Sequence, residues 1–104
     1  MNEELVYENV VQKYSYKYYL IEAQCDIDTI GSIKRYGMKV ESYDRDNNLV
    51  DTKTVSDIFG SKDKMLKGIG ILKKLEVTPI TLEDIIIDNI YWWCKIEASF
   101  FLAN

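Results

Sequence analysis

A run of acidic and amide side chains, Asp44-Arg45-Asp46-Asn47-Asn48, is the first feature that could carry chemistry. Oxygen donors at alternate positions are typical of the first half of a calcium-binding loop. Such a loop needs a glycine at its sixth position and a bidentate glutamate at its twelfth, where this chain has Leu49 and Val55. We therefore interpret the run as the turn of a β-hairpin and predict no metal ligands.

Carboxylates in predicted strands are the candidates for acid–base chemistry, namely Glu8, Glu22 and Glu41. Histidine is absent from the sequence, which excludes every catalytic triad or dyad that uses imidazole and most zinc and haem sites. The sequence also has no Gly-rich phosphate loop and no nucleophile elbow. We predict no catalytic residues and no cofactor, and a small-molecule binder or enzyme that uses the strand carboxylates is kept as an alternative.

Nucleic-acid binding is a second alternative function, and two features of the sequence support it. Tyr14, Tyr16 and Tyr18 recur at period two and could stack on bases. Lys64, Lys67 and Lys74 lie on one side of a predicted helix and could contact phosphates. The formal net charge of −4 disfavours this class, because nucleic-acid binders usually carry a basic footprint. A half-buried sheet face and a solvated helix face explain both features more simply.

Aromatic residues crowd into the C-terminal segment between positions 91 and 102. Aromatic anchors of this kind dominate protein–protein interfaces. The alternative is that they complete the core of the domain itself. As candidate interaction residues we take Tyr91, Trp92, Trp93, Phe100 and Phe101.

Periodicity places these candidates on a small set of elements. Alternating apolar residues and β-branched or aromatic composition predict four strands. The predicted strands cover residues 5–12, 14–22, 33–43 and 49–55, and residues 25–32 are predicted to form a loop or a single turn. The second pair of strands forms the clearest hairpin, because a dense group of turn formers separates them.

Two helices are predicted after Gly60. In the first, the apolar residues Met65, Gly68, Ile69, Leu72 and Leu75 recur at helical spacing. Ser61 is the predicted N-cap and Asp63 lies in the first turn. Thr78-Pro79 interrupts the pattern, and Thr81 with Asp84 resembles a capping box that starts the second, strongly apolar helix. Asp88, Lys95 and Glu97 argue against a membrane span.

Length and element order predict one α+β domain over residues 1–104: an antiparallel meander of about four strands, followed by two helices packed on one face. The acidic start, Met-Asn-Glu-Glu, differs from a secretory signal. We therefore expect a cytoplasmic protein in which Cys25 and Cys94 are buried free thiols.

From Tyr36 onward the chain resembles a family of small cytoplasmic clostridial proteins of unknown function. The resemblance rests on residues 36–40 (Tyr-Gly-Met-Lys-Val), 55–59 (Val-Ser-Asp-Ile-Phe) and 77–88 (Val-Thr-Pro-Ile-Thr-Leu-Glu-Asp-Ile-Ile-Ile-Asp). It implies a bacterial protein and supplies no activity or site residues. The aromatic tail after Tyr91 departs from the polar ending typical of that family. The favoured function is a non-enzymatic interaction or regulatory module, homodimeric through the aromatic C-terminal helix or bound to a protein partner.

Overall fold

The computed structural model describes residues 2–11, 13–28 and 31–88, and it confirms the predicted α+β fold. Four antiparallel strands form one sheet in the order β1-β2-β3-β4, followed by two helices that pack on one face. The strands are β1 (Asn2–Val11), β2 (Tyr14–Ile27), β3 (Gly31–Tyr43) and β4 (Leu49–Phe59), and the helices are α1 (Lys62–Lys74) and α2 (Pro79–Asp88). The C-terminal residues 89–104 lie outside this description.

The core lies between the two helices and one face of the sheet. Alternate residues of β2 and β3 point to this face because successive side chains of a strand lie on opposite sides. Tyr18 stands opposite Val40 and Leu20 opposite Met38 in the register, and all four are buried. The helices cover them with Met65, Ile69, Leu72 and Leu82, each fully buried.

The predicted loop over residues 25–32 is wrong at both of its ends. Cys25 pairs with Ile33, and the ladder continues to the pair of Ile27 with Gly31. Most of the described residues here are exposed or half-buried, so the segment needs no apolar alternation. Backbone hydrogen bonds between strands, which leave no periodic signal in the sequence, extend the hairpin instead. Within the described residues Cys25 is a half-buried free thiol, and Cys94 lies outside them.

The run from Asp44 to Asn48 is a hairpin turn, as predicted. The Asn47 N–H donates to the Asp44 carbonyl (3.1 Å) and the Asp44 N–H donates to the Asn48 carbonyl (3.0 Å). One carboxylate oxygen of Asp44 accepts the backbone N–H groups of Asp46 and Asn48, both at 2.9 Å. Asn47 has φ 62°, a left-handed conformation that asparagine tolerates. The acidic side chain therefore stabilises the turn itself.

β4 departs from regular pairing beside Gly37. Tyr36 pairs with Phe59 and Met38 with Val55, so three residues of β4 stand against one residue of β3. This bulge carries the backbone of β4 over Gly37, where a Cβ atom would lie 2.3 Å from the Val55 carbonyl oxygen. Only glycine fits under the bulge. β1 also shifts register, between Leu5 and Tyr7.

α1 begins as predicted, with the Ser61 hydroxyl accepting the Lys64 N–H and Asp63 in the first turn. It ends in a Schellman motif, in which the Val77 N–H donates to the Leu72 carbonyl (3.2 Å) and the Glu76 N–H to that of Lys73 (3.0 Å). Leu75 is 61% exposed and is not part of the core, because α1 ends at Lys74, before Leu75 can pack against the sheet.

We expect Glu76→Gly to raise the free energy of unfolding by about 1 kcal/mol. Glu76 occupies the left-handed position of the Schellman motif with φ 55°, where a side chain costs about 1–2 kcal/mol and glycine does not. The measurement is urea unfolding at pH 7. Glu76→Ala is the control, since it removes the carboxylate but keeps the Cβ atom. An equal gain for both variants would assign the effect to charge and contradict the conformational explanation.

α2 begins at Pro79, three residues before the start predicted with Thr81 as the cap. Thr78 is the residue before the helix, and its N–H donates to the Thr81 hydroxyl (3.1 Å), which also lies 3.0 Å from the Thr78 hydroxyl. Thr81 therefore closes the cap from the third helical position and is not the N-cap. Pro79 is suited to the first helical position, because its fixed φ is helical and its missing N–H needs no partner.

A buried hydrogen bond ties the connection between the helices to the sheet. The Tyr18 hydroxyl donates to the Val77 carbonyl at 2.9 Å, and both residues are at most 1% exposed. Burial, followed by the nearby Tyr16 and Glu76, raises the pKa of Tyr18 to about 12. The predicted half-buried tyrosine face is therefore wrong at Tyr18, whose ring and hydroxyl are both buried.

Candidate interaction site

An open cleft of about 300 Å³ lies at one end of the domain, between the sheet and the start of α2. We call it the tyrosine cleft. Its walls come from three strands and from the connection between the two helices. The lining residues are Tyr14, Tyr16, Ser42, Val50, Asp51, Thr78, Pro79 and Ile80.

The register of the sheet places the strand residues of the cleft in one row. Tyr16 stands opposite Ser42, and Ser42 stands opposite Asp51, so the three side chains share the face that carries the helices. α2 supplies the opposite wall, because its cap at Thr78 and Pro79 fixes where the helix begins. The cleft therefore follows from one strand register and one helix start.

Ser42 forms part of the cleft wall and is the buried polar residue of the described chain, 6% exposed. Its hydroxyl has no hydrogen-bond partner among residues 2–11, 13–28 and 31–88. Most buried polar side chains are paired, and leaving one unpaired costs about 1–3 kcal/mol. The hydroxyl therefore offers one donor and one acceptor to a group that enters the cleft.

The charge of the cleft is negative. Asp51 supplies a carboxylate, of which Oδ1 accepts the Thr52 N–H at 2.8 Å, and none of the eight lining residues is basic. Lys53, two residues along the same face, is held by Glu83 at 2.8 Å. That bond, followed by the charge of Glu83, raises the pKa of Lys53. The cleft therefore favours a cationic or hydrogen-bond-donating group over an anion.

Large apolar side chains are exposed around the cleft. Tyr14 is 42% exposed, Val50 54% and Ile80 79%, and all three line the cleft. Single exposed apolar residues are ordinary, whereas a group of them beside a concave surface is typical of binding sites. These three residues define the apolar rim of the tyrosine cleft.

A second polar cluster lies on the sheet face opposite the helices, centred on Lys39 of β3. The Lys39 ammonium is 2.6 Å from Glu3 and 3.6 Å from Glu41, and it lies 4.5 Å from the centre of the Tyr19 ring. Tyr43 donates to Glu41 at 2.8 Å. Each charged group here has a partner of opposite charge, so the cluster joins three strands and holds its charges in fixed positions.

The pKa values in this cluster follow from its geometry. Burial alone would lower the pKa of Lys39, but the Glu3 and Glu41 carboxylates outweigh it and the pKa is raised. Burial alone would raise the pKa of Glu41, but hydrogen bonds from Tyr19 and Tyr43 and the charge of Lys39 lower it. Both groups therefore stay charged at neutral pH, which suits a structural ion pair better than proton transfer.

The predicted strand carboxylates are not brought together. Glu8 lies 3.8 Å from Lys17, and Glu41 belongs to the cluster around Lys39. Glu22 lines a smaller cleft of about 210 Å³ at the other end of the sheet, where it accepts a hydrogen bond from Asn2 at 3.2 Å. No group of three or more acidic or cysteine side chains in the described part of the chain is arranged to hold a metal ion.

The residues proposed for nucleic-acid contacts are divided by the fold. Of the tyrosine series, Tyr18 is wholly buried, Tyr16 is half-buried and Tyr14 is 42% exposed, so three bases cannot stack on them. On α1, Lys67 and Lys74 are exposed and Lys64 is half-buried. The lysine face stays a prediction, tested by salt-dependent binding and charge reversal.

The predicted interaction residues Tyr91, Trp92, Trp93, Phe100 and Phe101 lie outside the described residues. The sequence did not reveal Ser42, Asp51 or Ile80 as a site, because they are far apart in the chain and belong to no motif. The sequence did contain one signal of this site. Thr78-Pro79 marks a helix start, and Ile80 in the first turn is an apolar residue outside the helical stripe.

Comparison with known proteins decides the family. The model of a family of unknown function, DUF6514, matches residues 1–91. The chain belongs to this family. The DUF6514 match includes every strand and helix described here and ends at Tyr91, so the aromatic residues from Trp92 onward lie beyond it. No curated protein and no solved structure matches the chain.

The DUF6514 match is broader than the resemblance in the sequence indicated, because it also covers β1 and β2. It confirms membership of a family without a known function and assigns no role to any residue. Among the described residues, no helix is long and apolar enough to cross a membrane.

Proposed function

We propose that this protein is a non-enzymatic, cytoplasmic interaction module that binds a second copy of itself or a protein partner. The observation that carries the proposal is the apolar rim of the tyrosine cleft. Tyr14, Val50 and Ile80 are exposed together around a concave surface. The backbone of this surface is hydrogen-bonded, since it is built on paired strands and a capped helix start.

The aromatic C-terminal segment is the second contact surface of the proposed module. Tyr91, Trp92, Trp93, Phe100 and Phe101 have the composition of interface anchors. The charged groups of the opposite sheet face support a binding role over a catalytic one, because Lys39 and Glu41 are paired with each other and with neighbouring side chains. A regulatory role follows if the bound partner is itself an active protein.

The test combines oligomeric state with capture of partners. Light scattering of the purified full chain over a concentration series reports self-association. Capture from lysate of the source cells, with and without nuclease, reports protein partners. We expect Ile80→Lys to weaken the observed association at least tenfold, because it places a charge on the apolar rim.

Leu75→Lys is the matched control, since Leu75 is also an exposed aliphatic residue but does not line the cleft. We expect it to leave association unchanged. Urea unfolding of both variants separates loss of binding from loss of folding. A monomeric protein that captures no partner, or association that survives Ile80→Lys, would contradict a binding role for this surface.

A further inference from the structure

We infer that the tyrosine cleft of one copy binds the aromatic segment 91–102 of a second copy, with Lys95 paired to Asp51. This inference rests on the proposed function and names its partner. The exchange is reciprocal, so two copies make two equivalent contacts about one twofold axis.

Shape and polarity support an aromatic occupant. The cleft encloses about 300 Å³, and its walls include Tyr14, Tyr16, Val50, Pro79 and Ile80. Aromatic side chains fill apolar clefts of this kind and contribute large buried areas at interfaces. The segment offers two adjacent indoles, Trp92 and Trp93.

Hydrogen bonding supports a tryptophan in particular. The indole N–H is a donor only, and it needs an acceptor when it is buried. Ser42, a residue only 6% exposed, supplies a hydroxyl oxygen in the cleft wall that is unpaired within the described residues. An indole N–H from the segment that donates to the Ser42 oxygen would give each of these two groups a hydrogen-bond partner.

Charge complementarity selects the same segment. The cleft carries one carboxylate, Asp51, and no basic residue. Lys95 is the one basic residue beyond position 88, and it follows Trp93 by two positions. An ammonium this close to the indoles can reach a carboxylate in the same cleft. Lys74, the preceding lysine, belongs to α1 and is not adjacent to the aromatic residues.

Chain length fits an exchange between copies. α2 begins at the cleft with Pro79 and runs ten residues to Asp88, which carries the chain roughly 14 Å along the helix at 1.5 Å per residue. Sixteen residues follow, enough to extend across to a second molecule. The reciprocal arrangement gives each cleft one segment and doubles the buried contact.

The test is a charge exchange between full-length chains. Asp51→Lys gives a chain with a basic cleft and a basic segment, and Lys95→Asp gives one with an acidic cleft and an acidic segment. We expect each variant alone to associate at least tenfold more weakly than wild type, because like charges then meet in both contacts. An equimolar mixture should regain association as a heterodimer, since each cleft then meets a segment of opposite charge.

Light scattering and native mass spectrometry measure these species, and urea unfolding verifies that each variant is folded. If the wild-type protein is a dimer and both variants remain dimeric, the cleft is not part of the interface. The proposed function would then depend on another surface. A wild-type monomer at every concentration would overturn the second copy as occupant. A third result would also overturn the inference. If the mixture fails to associate and the double variant Asp51→Lys/Lys95→Asp regains wild-type stability as a monomer, the segment lies in the cleft of its own chain.

Discussion

Gly37→Ala is expected to lower the free energy of unfolding by about 3 kcal/mol or more. The new Cβ atom would lie 2.3 Å from the Val55 carbonyl oxygen and 2.6 Å from the Ser56 Cα atom. Both are backbone atoms, so no change of rotamer can relieve the contact, and overpacking of this kind typically costs about 1–3 kcal/mol even where side chains can move. Urea unfolding followed by circular dichroism measures the loss.

Gly70→Ala is the matched control. Its Cβ atom would meet the Tyr7 hydroxyl at 3.2 Å, the far end of a side chain that can move by a few tenths of an ångström. Replacing a helical glycine also gains up to about 1 kcal/mol in helix propensity. We therefore expect this variant to change stability by less than about 1 kcal/mol. Equal unfolding midpoints for Gly37→Ala and wild type would show that β4 does not cross Gly37.

Tyr18→Phe is expected to cost about 1–3 kcal/mol at pH 7. The substitution removes the hydroxyl that donates to the Val77 carbonyl and leaves that buried oxygen without this donor. The packing of the ring is retained, so the loss reports the hydrogen bond. Tyr14→Phe is the control, because Tyr14 is 42% exposed. A neutral Tyr18→Phe would show that the hydroxyl does not tie the helix connection to the sheet.

The same variant should change the response to alkaline pH. Burial raises the pKa of Tyr18 to about 12 in the folded chain, against 10.0 for the ordinary side chain. The native state therefore favours the protonated hydroxyl, and its stabilising effect is full below pH 10 and is lost as the pH rises towards 12. Wild type should lose more stability than Tyr18→Phe between these values. Parallel losses would contradict the raised pKa. Tyr19, whose pKa is also raised, is present in both chains.

The fold could be predicted because its elements have strong local signals. The period-two tyrosines of β2, the turn formers at Asp44–Asn48 and the helical spacing after Ser61 each depend on a few neighbouring residues. A meander also requires no long-range choice of strand order, since each strand pairs with the next along the chain. These features are sufficient to place the two helices on one face of the sheet.

The larger of two errors lies where tertiary contacts outweigh local pattern. Residues 25–27 and 31–32 were predicted to be a loop, yet the β2–β3 ladder includes them. Thr78-Pro79 was interpreted as a break, yet it caps α2. The ladder depends on hydrogen bonds between strands, whereas the cap is a local bond from the Thr78 N–H to the Thr81 hydroxyl, so the helix starts three residues earlier than a cap at Thr81 predicts.

The tyrosine cleft could not be predicted for a related reason. Ser42 is a candidate site residue because it is buried, and Asp51 because it lies opposite Ser42 in the sheet. Ile80 is one because it lies at the start of α2. A serine in a strand and an isoleucine in a helix are ordinary in any sequence. The aromatic segment was recognised from composition, but the cleft proposed as its partner surface required the register of three strands.

The irregular edges of the sheet have a consequence for how the protein behaves at high concentration. β1 shifts register between Leu5 and Tyr7, and β4 bulges between Val55 and Phe59. Open sheets risk recruiting further strands at their edges, and bulges interrupt the straight row of amide groups that such recruitment needs. These interruptions at both edges disfavour growth into fibres by edge-to-edge strand pairing.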